Sequence, residues 1–276
     1  MNVVEIIKKK RNKKALSEDE INFIISKYTN REIPDYQMSA FLMAGFINGF
    51  SSNETSWLTK AMLFSGKVLN FDHLEGKKID KHSTGGNYIG NWLEVLETIE
   101  ILRDGKKNDL TELSLILSGI MIYLGGKSKS IDDGIELSIR ILNSGEAYEK
   151  FMDIVKAQGG DFKLLLNPDN YPNSKFTFEL KSNKKCFIKE IDTYQVGMAA
   201  LELGAGRLKK EDKIDFKAGI KFYPEIGEEI KKGEVIFELF SDSQEKIEKA
   251  KLRMMKALTF SETKTNKKQL IKKLIS

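Results

Sequence analysis

The stretch Lys78-Ile79-Asp80-Lys81-His82-Ser83-Thr84-Gly85-Gly86 decides the fold, because it holds the one convincing strand in the first 160 residues. Residues 78–81 are predicted to form that strand, and no other segment in this half offers a bounded β-branched run. One strand cannot make a parallel sheet. The first 160 residues are therefore predicted to be helical.

The end of this stretch has the composition of an anion-binding loop. A turn over residues 81–86 would offer backbone N–H groups and two hydroxyls, with a lysine for charge and two glycines for close approach. The spacing matches neither a P-loop nor a dinucleotide fingerprint. The alternative is an ordinary polar turn with an exposed lysine. The candidate anion-binding residues are Lys81, Ser83, Thr84, Gly85 and Gly86.

Helix signals fill the chain before the loop. Ser17 with Glu20 and Ser51 with Glu54 form capping boxes ahead of apolar periodic segments. Between them, residues 34–49 read as a helix that is apolar over much of its circumference. Such a helix should be buried or lie at an interface.

Helices are also predicted after the loop, at about residues 92–102, 110–124, 131–143 and 147–158. Asp109 and Ser130 are plausible N-caps, and Gly125, Gly145 and Gly159 stand where helices commonly end. Residues 1–68 and 87–160 are predicted to form one helical domain, with a strand and loop at 78–86 left without a sheet to join.

The pattern changes after residue 160. Residues 161–175 are rich in turn residues and read as a linker. Residues 176–262 are predicted to form a mixed α+β domain, with strands at 176–180, 186–191, 219–223 and 235–240 and helices at 197–203 and 245–257. Residues 263–276 are a basic tail, read as a frayed or docked terminal helix. The fold class is thus a helical bundle-like domain followed by a smaller α+β domain, with no large parallel sheet.

Composition excludes several classes of function. The 276 residues carry a formal net charge of +5, with lysines and carboxylates interspersed, which disfavours nucleic-acid binding. Cys186 is the single cysteine, and no Cys/His cluster is present to hold zinc. No signal peptide or membrane span is predicted, so a cytoplasmic protein is expected. Histidine chemistry has two candidates, His73 and His82, and His73 reads as a surface residue.

Longer motifs resemble one family. Residues 81–86 look like the phosphate-binding signature of the pyrimidine-nucleoside phosphorylase family, which includes the thymidine phosphorylases. Further likeness lies in residues 4–11, 28–40, 109–113, 203–207 and 226–234. The resemblance implies phosphate-dependent cleavage of pyrimidine nucleosides to base and pentose 1-phosphate, and a homodimer formed through the helical domain.

The chain departs from this family directly after the loop. Residues 87–95 look like the family segment that follows a large central α/β domain, and the resemblance therefore implies that this domain is deleted after Gly86. The family's arginine, serine and lysine that grip the base have no matching positions here. The chain is therefore predicted to be inactive by itself. Alternatives are a dimerisation or binding module that pairs with itself or a full-length relative, and an enzyme completed by a partner chain.

The resemblance also assigns roles to single residues. Lys81 and Ser83 would contact phosphate, Thr84 would shape the loop, and His82 would be the catalytic residue near the pyrimidine. The family binds potassium through backbone carbonyls of the stretch matching residues 87–90, which includes Tyr88, and through a carboxylate matching Glu97. Because the other ligands belong to the missing domain, this site is expected to be incomplete, and a solvated helix carboxylate is the alternative for Glu97. No other cofactor is expected.

Two remaining motifs have simpler readings. Residues 226–239 also resemble part of a biotinyl or lipoyl carrier domain, but no convincing lysine attachment sequence is present. Arg207, beside Gly204 and Gly206, reads as a structural residue that supports a turn, and contact with another domain is the alternative.

Overall fold

Four helices build the first unit of the chain, residues 1–76, in the computed structural model, which describes residues 1–267 and 269–274. They are α1 (Val3–Arg11), α2 (Glu18–Thr29), α3 (Asp35–Asn48) and α4 (Ser52–Leu63). Both predicted capping boxes are present, at the start of α2 and of α4. Ile6, Ile21, Ile24 and Phe41 are the centre of its hydrophobic core.

A buried ion pair joins α1 to α4 in this unit. Lys10 Nζ lies 2.8 Å from Glu54 Oε1, and the two side chains are 5% and 2% exposed. The same carboxylate accepts the backbone N–H groups of Leu16 and Ser51. Burial opposes ionisation, but the Lys10 ammonium and these N–H groups outweigh it and lower the pKa of Glu54 to about 2.

One face of α3 is uncovered within this unit. Phe41 is fully buried, whereas Leu42, Met43, Phe46 and Ile47 are 51%, 56%, 85% and 70% exposed. These four residues are spaced so that they share one side of the helix. We call them the α3 apolar face.

The second unit begins at Lys77. Its first regular element is the two-residue strand β1 (Tyr88–Ile89), which is followed by four long helices. These are α5 (Asn91–Asp104), α6 (Asp109–Leu124), α7 (Ile131–Ser144) and α8 (Glu146–Ala157), in agreement with the predicted positions. The N-cap of α6 is Asn108, not Asp109, because the Asn108 side chain accepts the Thr111 N–H. A short helix, α9 (Lys163–Leu166), follows.

Helices α6 and α7 cross at very close range. A methyl group on Gly134 would lie 2.3 Å from the Gly119 carbonyl oxygen, and one on Gly119 would lie 2.4 Å from the Ile135 side chain. Although α6 is the most apolar of the long helices, none of the three hydrophobic cores in the described residues contains a side chain from it.

The C-terminal part folds as two small antiparallel sheets with two helices. The elements are β2 (Phe176–Lys181), β3 (Cys186–Ile191), α10 (Thr193–Leu203), β4 (Gly219–Phe222), β5 (Glu229–Ile230), β6 (Val235–Ser241), α11 (Gln244–Ala257) and β7 (Leu258–Ser261). The strand orders are β1-β4-β6-β2 and β5-β3-β7. Leu203, Ile220, Phe237 and Met254 lie fully buried in the core between sheet and helices. The predicted fold class is confirmed, since the described residues contain no large parallel sheet.

The prediction of a strand at residues 78–81 is wrong. This segment is irregular, and the early strand is Tyr88–Ile89, paired antiparallel with β4. Ile79 is the only apolar residue among charged neighbours and is 40% exposed, so the segment has no face to bury. The joining of residues 1–68 with 87–160 in one helical domain stays a prediction, because these segments lie in different units.

The segment predicted as a linker is packed. Tyr171 stacks on Trp92 with ring centroids 4.0 Å apart, and the Tyr148 hydroxyl donates to the Leu165 carbonyl at 2.7 Å. Residues 161–175 therefore cover the start of α5 and one side of α8 rather than separating two bodies.

The described tail residues, 264–267 and 269–274, do not form the predicted helix. They contact earlier residues of the second unit. Thr265 Oγ1 donates to the Ile188 carbonyl at 3.0 Å. Lys267 Nζ pairs with Glu225 at 2.8 Å and with Asp109. Ile275, also part of that prediction, lies outside the described residues. Within the described part of the chain, no helix combines the length and apolarity needed to cross a membrane.

Candidate functional site

An open cleft of about 530 Å³ lies between the 81–86 loop and helices α5 and α6. The loop residues Lys81, Ser83, Thr84, Gly85 and Gly86 line one side of it. Tyr88 and Glu97 line it as well, so seven of the eight residues singled out from the sequence meet here. The eighth, His82, is not among the lining residues.

The loop itself is held by local contacts. The Lys81 N–H donates to Asp80 Oδ1 at 2.8 Å, and the Gly85 N–H donates to Ser83 Oγ at 3.3 Å. Gly85 has φ +72°, a conformation that favours glycine. The Lys81 side chain is exposed, and Ser83 already uses its hydroxyl as an acceptor within the loop.

His82 points into solvent. Its side chain is 93% exposed, and Nε2 lies 3.5 Å from Asp80 Oδ2, whose side chain is also mostly exposed. The structure therefore gives His82 no buried partner that would hold its ring against a substrate. His73 and Arg207 are exposed as well.

The charges around the cleft are mixed. Among its described lining residues, Lys81 is the only cationic side chain, and Glu94 and Glu97 are carboxylates. The other side of the cleft is largely apolar, with Ile101 and Leu110 on α5 and α6. An anion at the loop would thus gain one exposed positive charge, which water and salt screen.

Glu97 is buried and fully hydrogen-bonded. Its side chain is on α5 with the residue 1% exposed, so the solvated alternative is wrong. Oε1 accepts the Asn87 N–H at 3.2 Å and Asn108 Nδ2 at 3.0 Å. Oε2 accepts the Asn87 N–H at 3.1 Å and the Tyr88 N–H at 3.0 Å. Glu97 therefore holds the end of the loop against α5.

The absence of a side chain at Gly86 lets the end of the loop lie close to the Glu97 carboxylate. A methyl group at Gly86 would lie 2.5 Å from Glu97 Oε2 and 3.3 Å from the Leu110 side chain. The second glycine of the loop is thus needed for its contact with the carboxylate, a different reason from the close anion approach that the sequence suggested.

Tyr88 is anchored by its own set of groups. Its hydroxyl donates to Glu100 Oε2 at 3.0 Å, and Lys106 Nζ lies 4.0 Å from its ring centroid. Lys106 also pairs with Glu100 at 2.7 Å. Burial and the nearby Glu100 carboxylate raise the pKa of Tyr88. The Tyr88 hydroxyl is therefore a neutral donor that faces Glu100.

The residues at Glu97 do not fit the potassium ion that the resemblance implies. N–H donors face both carboxylate oxygens. The Asn87 carbonyl accepts the Phe222 N–H at 2.9 Å, and the Gly90 carbonyl accepts the Glu94 N–H at 2.9 Å. Across the described residues, no group of three or more His, Cys, Asp or Glu side chains is arranged to hold a metal.

Sequence reasoning missed Asn108 and Glu100. Asn108 follows the turn Gly105-Lys106-Lys107, where an N-cap before an apolar helix is a recognisable signal. Its contact with Glu97 depends on the fold and has no local signal.

Two family models match the chain. The pyrimidine nucleoside phosphorylase C-terminal domain matches residues 187–261, and the helical bundle domain of a glycosyl transferase family matches residues 4–66. In these two regions the chain is similar to the pyrimidine-nucleoside phosphorylase family. The helical-bundle match covers α1 to α4, and the C-terminal match covers β3 to β7.

Relatives of this family align along the chain. A pyrimidine-nucleoside phosphorylase of Geobacillus stearothermophilus is 25% identical over 434 aligned positions that cover all of both chains. The one from Staphylococcus epidermidis is 24% identical with the same coverage. One from Staphylococcus aureus is 24% identical over 89% of this chain and 93% of the relative. Since this chain has 276 residues, at least 158 of the 434 positions have no residue in it.

Proposed function

We propose that this chain is an internally shortened pyrimidine-nucleoside phosphorylase that does not catalyse phosphorolysis by itself. The observation that carries this proposal is the cleft at residues 81–86, where Lys81 is the only cation among the described lining residues. The proposal places the missing segment directly after Gly86. The 158 or more unmatched alignment positions support it.

The reaction sets demands that this cleft does not meet. Phosphorolysis replaces the base at the anomeric carbon with phosphate, through a transition state with positive charge on the sugar and negative charge on the leaving base. An enzyme must hold both reactants in line and stabilise that base. Here Lys81, Ser83 and Thr84 offer a weak place for phosphate, and the exposed His82 is not fixed toward any base.

The binding that remains is assigned to phosphate-type anions. Lys81 attracts the anion, and the loop hydroxyls and backbone of Gly85 and Gly86 supply contacts. Glu94 and Glu97 on the same cleft oppose a second negative charge. Affinity should therefore be low and should fall as salt is added.

The test is release of free base from uridine or thymidine by the purified chain at high protein concentration, with and without phosphate. The Geobacillus stearothermophilus relative is the positive control for the assay, and Lys81→Ala is the matched variant. We expect no phosphate-dependent base from this chain. Base that appears only with phosphate and disappears in Lys81→Ala would overturn the proposal.

The second candidate function is pairing through the first unit, and the α3 apolar face favours it. Phe46, 85% exposed, and Ile47, 70% exposed, form the most open part of this face. Isolated apolar side chains are common on surfaces, but four on one side of a helix are typical of an interaction site. The partner under this proposal is a second copy or a full-length relative.

Measurement of molar mass in solution tests the pairing. We expect the wild-type chain to form a dimer and Phe46→Asp to be monomeric at the same concentration. Asn22→Asp, an exposed residue of α2, adds the same charge elsewhere and should remain dimeric. A monomeric wild-type chain that also fails to associate with the full-length relative would remove this function.

A further inference from the structure

The Glu97 carboxylate lies in a pocket made of N–H donors. The N–H groups of Asn87 and Tyr88 follow each other in the chain and both point at it, at 3.0 to 3.2 Å. Successive backbone N–H groups of this kind form concave sites for anions. The anion at this site is supplied by the chain itself.

The carboxylate has little capacity left for a cation. An ionised carboxylate has about four lone-pair positions, and three N–H donors make four contacts with it, because the Asn87 N–H is shared between the two oxygens. A cation would need those lone pairs and would face the positive ends of the N–H dipoles. Gly86 closes one further side, because its Cα lies so near that an added methyl group would be 2.5 Å from Oε2.

The orientation of Asn108 is fixed by a second set of bonds. Its Oδ1 accepts the Thr111 N–H at 2.9 Å and the Thr111 hydroxyl at 3.0 Å. The amide nitrogen must therefore face Glu97, because an exchanged amide would place an NH₂ group against the Thr111 N–H and an oxygen against the Glu97 carboxylate. Glu97 thus connects the end of the loop to the N-cap of α6.

We propose that Glu97 is an internal anion that anchors residues 87 and 88 to α5 and α6, and that its pocket accepts oxyanions and takes no potassium. Glu97 matches the family carboxylate that implies a potassium ligand, but in this chain it holds residues 87 and 88 and Asn108 in place. When the carboxylate is removed, the exposed donors should bind a small external carboxylate such as formate.

The first experiment compares amide hydrogen exchange in peptides that contain residues 86–89. In Glu97→Gln, an amide group brings a donor toward the Asn87 and Tyr88 N–H groups, so their exchange should rise by about tenfold or more. Glu112→Gln removes the same charge from the exposed first turn of α6 and should leave this exchange unchanged. In Glu97→Ala, formate should slow the exchange, and it should have no such effect on the wild-type chain.

The second experiment needs no variant. Thermal unfolding of the wild-type chain is measured in potassium chloride and in choline chloride at equal ionic strength. We expect the same unfolding temperature in both salts. A potassium-specific rise would show that the pocket binds the cation and would overturn the proposal, as would unchanged exchange at residues 86–89 in a folded Glu97→Gln.

Discussion

Two carboxylates with buried side chains, Glu54 and Glu97, have different partners. Glu54 is neutralised by the Lys10 ammonium, whereas Glu97 is surrounded by uncharged N–H donors. Removal of either group leaves buried partners unsatisfied, and this cost exceeds the net value of the interaction itself. Single substitutions at these sites should therefore have large effects that can be measured separately in the two units.

Glu54 should make the first unit sensitive to acid. Its pKa in the folded chain, about 2, lies below the ordinary value of 4.5, so its contribution is complete above about pH 4.5 and is lost as the pH falls toward 2. We expect Glu54→Gln to lower the free energy of unfolding by about 3 kcal/mol at pH 7. The difference from the wild-type chain should shrink steadily below pH 4.5.

Tryptophan fluorescence can isolate this effect. Trp57 packs in the first unit and Trp92 lies in the second, and the chain has only these two tryptophans. Urea unfolding in a Trp92→Phe background therefore reports on the first unit. A Glu54→Gln difference that does not change between pH 7 and pH 3 would contradict the assignment.

Gly86 should tolerate no side chain. The added methyl group of Gly86→Ala would push against Glu97 Oε2, so we expect a loss of about 1–3 kcal/mol in the free energy of unfolding of the second unit. Gly197→Ala is the matched control, because this glycine lies inside α10 with open space at the Cβ position. It should be neutral or stabilising. The free energy of unfolding of the second unit is measured by Trp92 fluorescence. Equal losses in Gly86→Ala and Gly197→Ala would contradict the packing described for Gly86.

At the scale of elements, the α6–α7 pair depends on its glycines. Because a methyl group on Gly134 would meet the Gly119 carbonyl oxygen at 2.3 Å, Gly134→Ala should force the two helices apart. We expect faster amide exchange in both helices. Ile139→Ala, on the exposed side of α7, should change the exchange little. Unchanged exchange in Gly134→Ala would show that the crossing is looser than described.

Local signals in the sequence predicted most of the elements. The helices at 92–102, 110–124, 131–143 and 147–158 were found because caps and apolar periodicity act within one or two turns. Strand β1 was missed because it has two residues and is defined by pairing with Lys221 and Ile220, far along the chain. The burial of Glu97 was missed because its donors come from residues 87, 88 and 108, outside helix α5.

At the scale of the whole molecule, residues 62–83 are exposed without interruption and contain the division between the two units. Proteases cut first in exposed segments of this kind. We expect trypsin to cleave first at Lys67, Lys77, Lys78 or Lys81, and to leave two fragments that resist further cleavage.

A matched variant makes this test specific. Changing these four lysines to glutamine should abolish the early cut while the rest of the digestion pattern is unchanged. First cleavage within α5 to α8, or in the sheets of the C-terminal part, would show that the division at residue 76 does not describe the stability of the chain.

The pairing of β1 with β4 also fixes an order of events during synthesis. Tyr88 leaves the ribosome long before its partner Lys221 has been made, whereas the hydrophobic core of α1 to α4 is built from residues within the first 76. The first unit can therefore fold while translation continues, and the end of the loop must wait for the sheet. A pause in translation between residues 90 and 220 would prolong the time for which β1 is an unpaired strand, exposed to pairing with other nascent chains.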